Sequence, residues 1–123
     1  MNHDDSDKSA HEQEWPDALD AMVAAPEHHA VLLENERVRV LDSRIKPGDT
    51  VPVHTHRWAS VLYILGTTDF VRYDTEGKAV FDSRTAASNL ETGAVTWSPP
   101  LRAHSVENVG NTEIRVISVE LKD

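Results

Sequence analysis

The chain contains no cysteine. That excludes disulfides, thiolate metal sites and a cysteine nucleophile, and leaves histidine and carboxylate as the strong metal ligands. Positive charge is also scarce: 12 Lys and Arg stand against 21 Asp and Glu, and no basic cluster occurs. Nucleic-acid backbones and anionic lipid surfaces therefore have no electrostatic attraction to it, and neither is expected as a partner. No run approaches the roughly 20 apolar residues needed to span a bilayer. The polar, acidic start lacks the basic and apolar stretches of a secretory signal, so a cytoplasmic protein is expected. There is no G-x-S-x-G elbow, no G-x-G-x-x-G and no P-loop, so neither triad hydrolysis nor nucleotide chemistry has a sequence basis.

A chain of 123 residues suits one domain that buries roughly 65% of its surface. Its net charge of -9 is uneven. Residues 1–20 hold seven acids (Asp4, Asp5, Asp7, Glu12, Glu14, Asp17, Asp20) against Lys8, a balance of -6 that leaves -3 for the remainder. Residues 1–14 have too few apolar side chains to offset the entropy of ordering, and are read as a disordered acidic tail ahead of a single domain at 15–123. His3 and His11 in that tail are read as solvated.

Residues 16–25 predict a short helix, with Pro16 at its first position, acids in its first turn, Leu19, Met22 and Val23 at helical spacing, and Pro26 ending it. From Val31 the apolar period becomes two, which predicts an all-β domain. The expected strands are 30–33, 37–45, 51–56, 60–65, 69–73, 79–84, 94–97, 104–108 and 114–121. Turns fall at Lys46 to Asp49, Asp74 to Gly77 and Asn108 to Asn111. So many short strands suggest a sandwich or a barrel closed on itself.

Residues two apart on a strand share a face, so His54 and His56 present two imidazoles on one side. His104 is the third candidate ligand. It stands within the segment Gly93 to Asn108, which reads G-x5-P-x-L-x2-H-x3-N, while the segment Gly48 to His56 reads G-x5-H-x-H. Three imidazoles with an open position suit a catalytic metal site; the alternative is that the histidines are inert core residues.

The two segments resemble the paired motifs of the cupin superfamily over about residues 30–122. The resemblance implies a small jelly-roll β-barrel whose wide mouth holds one divalent metal. It also implies a homodimer paired through outer strands. Two departures stand out. The Glu ligand of the first motif is absent, its place taken by Ser60 or, on the longer spacing, Val61. Leu101 stands where the second motif usually has Gly. Without the carboxylate the site becomes a neutral three-histidine one, in which the metal keeps its full charge as a Lewis acid. Such a site favours zinc or iron(II), with nickel or copper next, over magnesium or calcium. Three-histidine cupins include oxygen-using iron enzymes, so a dioxygenase-like enzyme acting on a small organic molecule is one expectation. A non-catalytic module binding a small ligand or metal is the other.

Trp58, in phase with His54 and His56, is expected to wall the pocket, and Ser60 to face it. Arg57 and Arg102, each within two residues of a candidate ligand, are candidates to hold an acidic substrate by a bidentate contact; the alternative is a solvated surface position. No catalytic residue is assigned. Tyr63, Phe70, Phe81 and Trp97 read as packing residues. Glu107 and Glu120 are the carboxylates best placed for a base, though exposed positions suit both. His28 and His29 precede the first strand and read as loop or surface residues. Arg39 and Arg44 lie in opposite phases of one strand, so only one can face inward.

Overall fold

The computed structural model describes residues 15–87 and 90–122. The tail expected over residues 1–14 lies outside them. Nine strands follow in chain order: β1 (His29–Glu34), β2 (Val38–Ile45), β3 (Thr50–His56), β4 (Ser60–Gly66), β5 (Phe70–Tyr73), β6 (Ala79–Asp82), β7 (Val95–Ser98), β8 (Leu101–Asn108) and β9 (Ile114–Leu121). They form a five-stranded sheet, β1-β2-β9-β4-β7, and a four-stranded sheet, β3-β8-β5-β6. Every pairing is antiparallel. This is the all-β fold expected from the period-two pattern, in the jelly-roll arrangement that the cupin resemblance implied.

Alternation along each strand decides what faces inward. On β2, Arg39, Leu41 and Ile45 are buried. Leu41 and Ile64 are almost wholly enclosed, and Ala25, Ile45, Val51 and Ile114 form a cluster against Phe70, Val106 and Val116. The predicted turn at Lys46 to Asp49 needs Gly48, whose φ of 81° is favoured only without a Cβ. Asn108 clamps this turn to the end of β8. Its Nδ2 donates to Ile45 O at 2.9 Å and Thr112 O at 2.8 Å, while Gly48 N donates to Asn108 O at 3.0 Å. The clamp fixes β3 against β8, the two strands that carry the motif histidines.

The helix expected over 16–25 is broken in two. A 3₁₀ turn at Asp17–Leu19 precedes α1 (Ala21–Ala24), with Asp20 between them in an extended conformation. Asp20 accepts from Met22 N at 3.1 Å, as an N-cap does, and its carboxylate also binds Arg39 of β2. The side chain that stops the first turn is thus held by the barrel. Two aromatics read as packing residues face outward instead: Trp97 is 57% and Tyr63 45% exposed. Tyr63 lies on β4 and Trp97 on β7, neighbours in the larger sheet.

Candidate metal centre

His54 and His104 are direct partners across β3 and β8, their ring centroids 4.5 Å apart. His56 follows on the same face of β3, with its ring 4.9 Å from that of His54. A fourth imidazole joins them. His29 opens β1, is 6% exposed, and sets its ring 5.0 Å from His54 and 5.4 Å from His56. The loop or surface role expected for His29 is therefore corrected. Pairing of β1 with β2, His29 opposite Ser43, carries the ring across the barrel into the site. The ligand atoms of His29, His54 and His56 all lie within 4.8 Å of one another. His104 stands against His54 in the wall of the same cavity.

Each ring is oriented by an oxygen acceptor. His29 Nδ1 is 2.9 Å from Ala25 O, His54 Nδ1 is 2.7 Å from Pro52 O, and His104 Nδ1 is 2.6 Å from Arg102 O. His56 Nδ1 is 3.1 Å from Glu120 Oε2. A carbonyl or carboxylate oxygen can only accept, so each Nδ1 donates its proton and each neutral ring keeps its Nε2 lone pair free. Two of those lone pairs, on His54 and His56, are 3.2 Å apart. Such an approach calls for a cation between them, either a proton on one ring or a metal ion. Burial disfavours the proton on three of the four rings. It pushes His29 and His104 down to about 4 and His54 to about 2, with the neighbouring imidazoles adding to the effect. The donor set fits a divalent cation that prefers nitrogen.

Glu120 is the second residue whose place differs from expectation. It is 0% exposed, not a surface charge. Its Oε1 receives Arg39 Nε at 2.6 Å while its Oε2 orients His56. Arg39 in turn grips Asp20 with both terminal nitrogens, at 2.9 and 3.0 Å. Burial alone would raise the pKa of Glu120 and Asp20, but the bonds to Arg39, and for Glu120 also to His56, hold both carboxyls below their ordinary values. Ser60 lies directly opposite Glu120 on β4, is buried and lines the cavity. A buried carboxylate thus stands one strand away from Ser60, bonded to Nδ1 of His56.

The cavity, about 140 Å³, lies between the two sheets. Trp58, Arg57 and Arg102 are absent from its lining. β3 ends at His56, so the in-phase reading of Trp58 fails at the turn that follows. The indole lies under three cations instead, with Arg39 5.0 Å, Lys122 5.5 Å and Arg57 5.9 Å from its ring. Arg57 binds Asp17 Oδ1 at 2.6 Å, and Arg102 is exposed. The arginine that does line the cavity is Arg72 of β5. Alternation alone gave no reason to single it out.

No family model matches the sequence, and no curated protein does. Solved structures do. A cupin domain from Bordetella pertussis Tohama I is 28% identical, with a TM-score of 0.63 over 77% of this chain and 92% of that one. An RmlC-like cupin family protein with a double-stranded β-helix fold from Methanocaldococcus jannaschii is 14% identical, with a TM-score of 0.53 over 76% and 77%. A protein with a double-stranded β-helix domain from Klebsiella pneumoniae is 18% identical, with a TM-score of 0.53 over 76% and 75%. The latter two likenesses concern the fold alone. With the two antiparallel sheets and the histidines of both motif halves gathered between them, the chain belongs to the cupin superfamily.

Proposed function

We propose that the protein is a metal-dependent cupin acting on a small organic molecule, with His29, His54 and His56 holding one divalent cation and His104 beside them. The observation that carries this reading is the commitment of all four Nδ1 atoms to oxygen acceptors, which leaves four Nε2 lone pairs for a cation. Zinc or iron(II) suits such a nitrogen-rich set. When bound, the cation supplies Lewis acidity toward a carbonyl or, as iron(II), a route to dioxygen. The chain's own residues orient the rings and bury the Glu120–Arg39 pair beneath them.

No carboxylate lines the cavity among the described residues, so the protein offers no carboxylate base there. A dioxygenase-like reaction, which needs none, is the activity we propose. The same observation favours the second reading, a non-catalytic module that binds a small ligand. Metal analysis of untagged protein tests the common claim: close to one equivalent is expected, and less than a tenth, with no uptake on titration, would overturn it. Oxygen uptake by the iron-loaded protein with thiols, diketones and phenols separates the two readings. Turnover supports the enzyme; binding of a small acid without turnover supports the module.

We further propose a cytoplasmic homodimer. Val31, Leu32 and Leu33 on β1, and Val95 and Trp97 on β7, are exposed at the two edges of the larger sheet, the kind of apolar edge that association covers. Among the described residues no helix is long and apolar enough to cross a membrane. A monomeric mass by light scattering would refute the dimer, and recovery in a membrane or exported fraction would refute the location.

A further inference from the structure

A second cavity, about 380 Å³, adjoins the histidine cavity, and Leu62, Arg72, Ser98 and Leu101 line both. Its volume falls in the range of small-molecule sites, and its remaining walls are mainly apolar. The stacked rings of Phe70 and Phe81, 5.3 Å apart, stand with Trp97 and Pro99. Trp97 and Leu90 are partly exposed, so the space opens to solvent beside them.

Arg72 occupies the junction. On β5 it pairs with Val106 of β8, two residues from His104. Its Nε is buried and has no hydrogen-bond partner. Five other arginines, Arg39, Arg44, Arg57, Arg84 and Arg115, each bind a carboxylate. Among the described residues, Arg72 has no ion pair of this kind. Burial without a counter-charge pushes its guanidinium below the ordinary arginine value. An enclosed cation of this sort is costly unless an anion completes it.

We infer that the ligand is a small monocarboxylate with an apolar, ring-sized body. Its carboxylate pairs with Arg72 at the junction, its body lies against Phe70 and Phe81, and the atoms next to the carboxylate face the histidines. The planar guanidinium fork matches a carboxylate, and the apolar walls need an apolar body. A single guanidinium balances a single charge, and the acidic chain repels anions of higher charge. This inference deepens the metal-site reading and names the substrate class for it.

Calorimetry on zinc-loaded protein with phenylacetate and its neutral isostere phenylacetamide tests it. Phenylacetate should bind at least tenfold more tightly. Arg72→Met should erase that preference and leave zinc affinity, measured by chelator competition, within twofold. Arg72→Lys, which keeps the charge without the fork, should fall between and serves if the Met variant fails to fold. Equal or absent binding of acid and amide by the wild-type protein overturns the inference, as does a preference that survives in Arg72→Met. Zinc binding without acid preference sinks this inference alone. Acid preference without zinc binding supports it and sinks the metal reading alone.

Discussion

Replacing Glu120 by Gln tests the buried charge chain beneath the histidines. The substitution keeps shape and one acceptor oxygen but removes the charge that Arg39 Nε meets at 2.6 Å and that orients His56 from 3.1 Å. Breaking a buried ion pair costs about 3–5 kcal/mol when the partner is left uncompensated. Here Arg39 keeps its two bonds to Asp20, so the cost should fall to about 2–3 kcal/mol. Against a total of about 5–15 kcal/mol that is a large fraction, and it should lower the melting temperature of the metal-free protein by about 10–20 °C. Urea unfolding gives the free energy, and a double-mutant cycle with Arg39→Met should return a coupling above about 1 kcal/mol. Zinc affinity should fall by about 10–100-fold, because a ligand's far nitrogen loses its carboxylate. An E120Q protein within about 0.5 kcal/mol of wild type, with unchanged zinc affinity, would show that Glu120 neither anchors Arg39 nor orients His56.

Acid should destabilise the metal-free protein well above the pH at which carboxylates titrate. His29 and His104 sit at about 4 in the folded chain against 6.5 unfolded, so between those values the unfolded state binds more protons and stability falls as pH falls. Each contributes up to about 1.4 kcal/mol per pH unit, and a urea midpoint that stays level or rises from pH 7 to 5 would refute the burial of these rings as neutral imidazoles. Returning the lost carboxylate with Ser60→Glu should place a second buried acid opposite Glu120, lowering metal-free stability by about 2–4 kcal/mol while enlarging the stabilisation on adding zinc. An unchanged metal-free melting temperature would mean that position 60 does not face the site, and the added variant Glu120→Gln should restore part of the loss.

The nine strands were legible because antiparallel strands with one buried face alternate, and the pair His54 and His56 because residues two apart share that face. What stayed hidden depends on which strands become neighbours. His29 becomes a member of the site only through the pairing of β1 with β2, and in sequence it looks like the end of a loop. Arg72 in the run Phe70–Tyr73 carries no mark of its lack of a partner, which is a fact about the carboxylates that are not near it. The Trp58 expectation failed on a boundary, since phase predicts orientation only while the strand continues. For Glu120 a signal existed. It shares the phase of Ile114, Val116 and Ser118 on β9, and Arg39 shares the phase of Leu41 on β2. Two opposite charges, each in the inward phase of its strand, are costly separately and become compatible only as a pair.

The same pair explains how a cupin site can do without the carboxylate of its first motif. A ligand carboxylate at position 60 would place one negative charge directly on the cation. With Ser60 there, the donors are neutral imidazoles, and the charge stands one hydrogen bond behind His56, shared with Arg39. A bound cation would then keep more of its charge for whatever enters the cavity. A ligand that brings its own carboxylate restores the missing negative charge from the substrate side, and Arg72 is placed to hold that carboxylate. Fixing the charge on the ligand rather than on the protein makes the electrostatic balance of the site depend on occupancy, so metal and acid should each bind more tightly in the presence of the other.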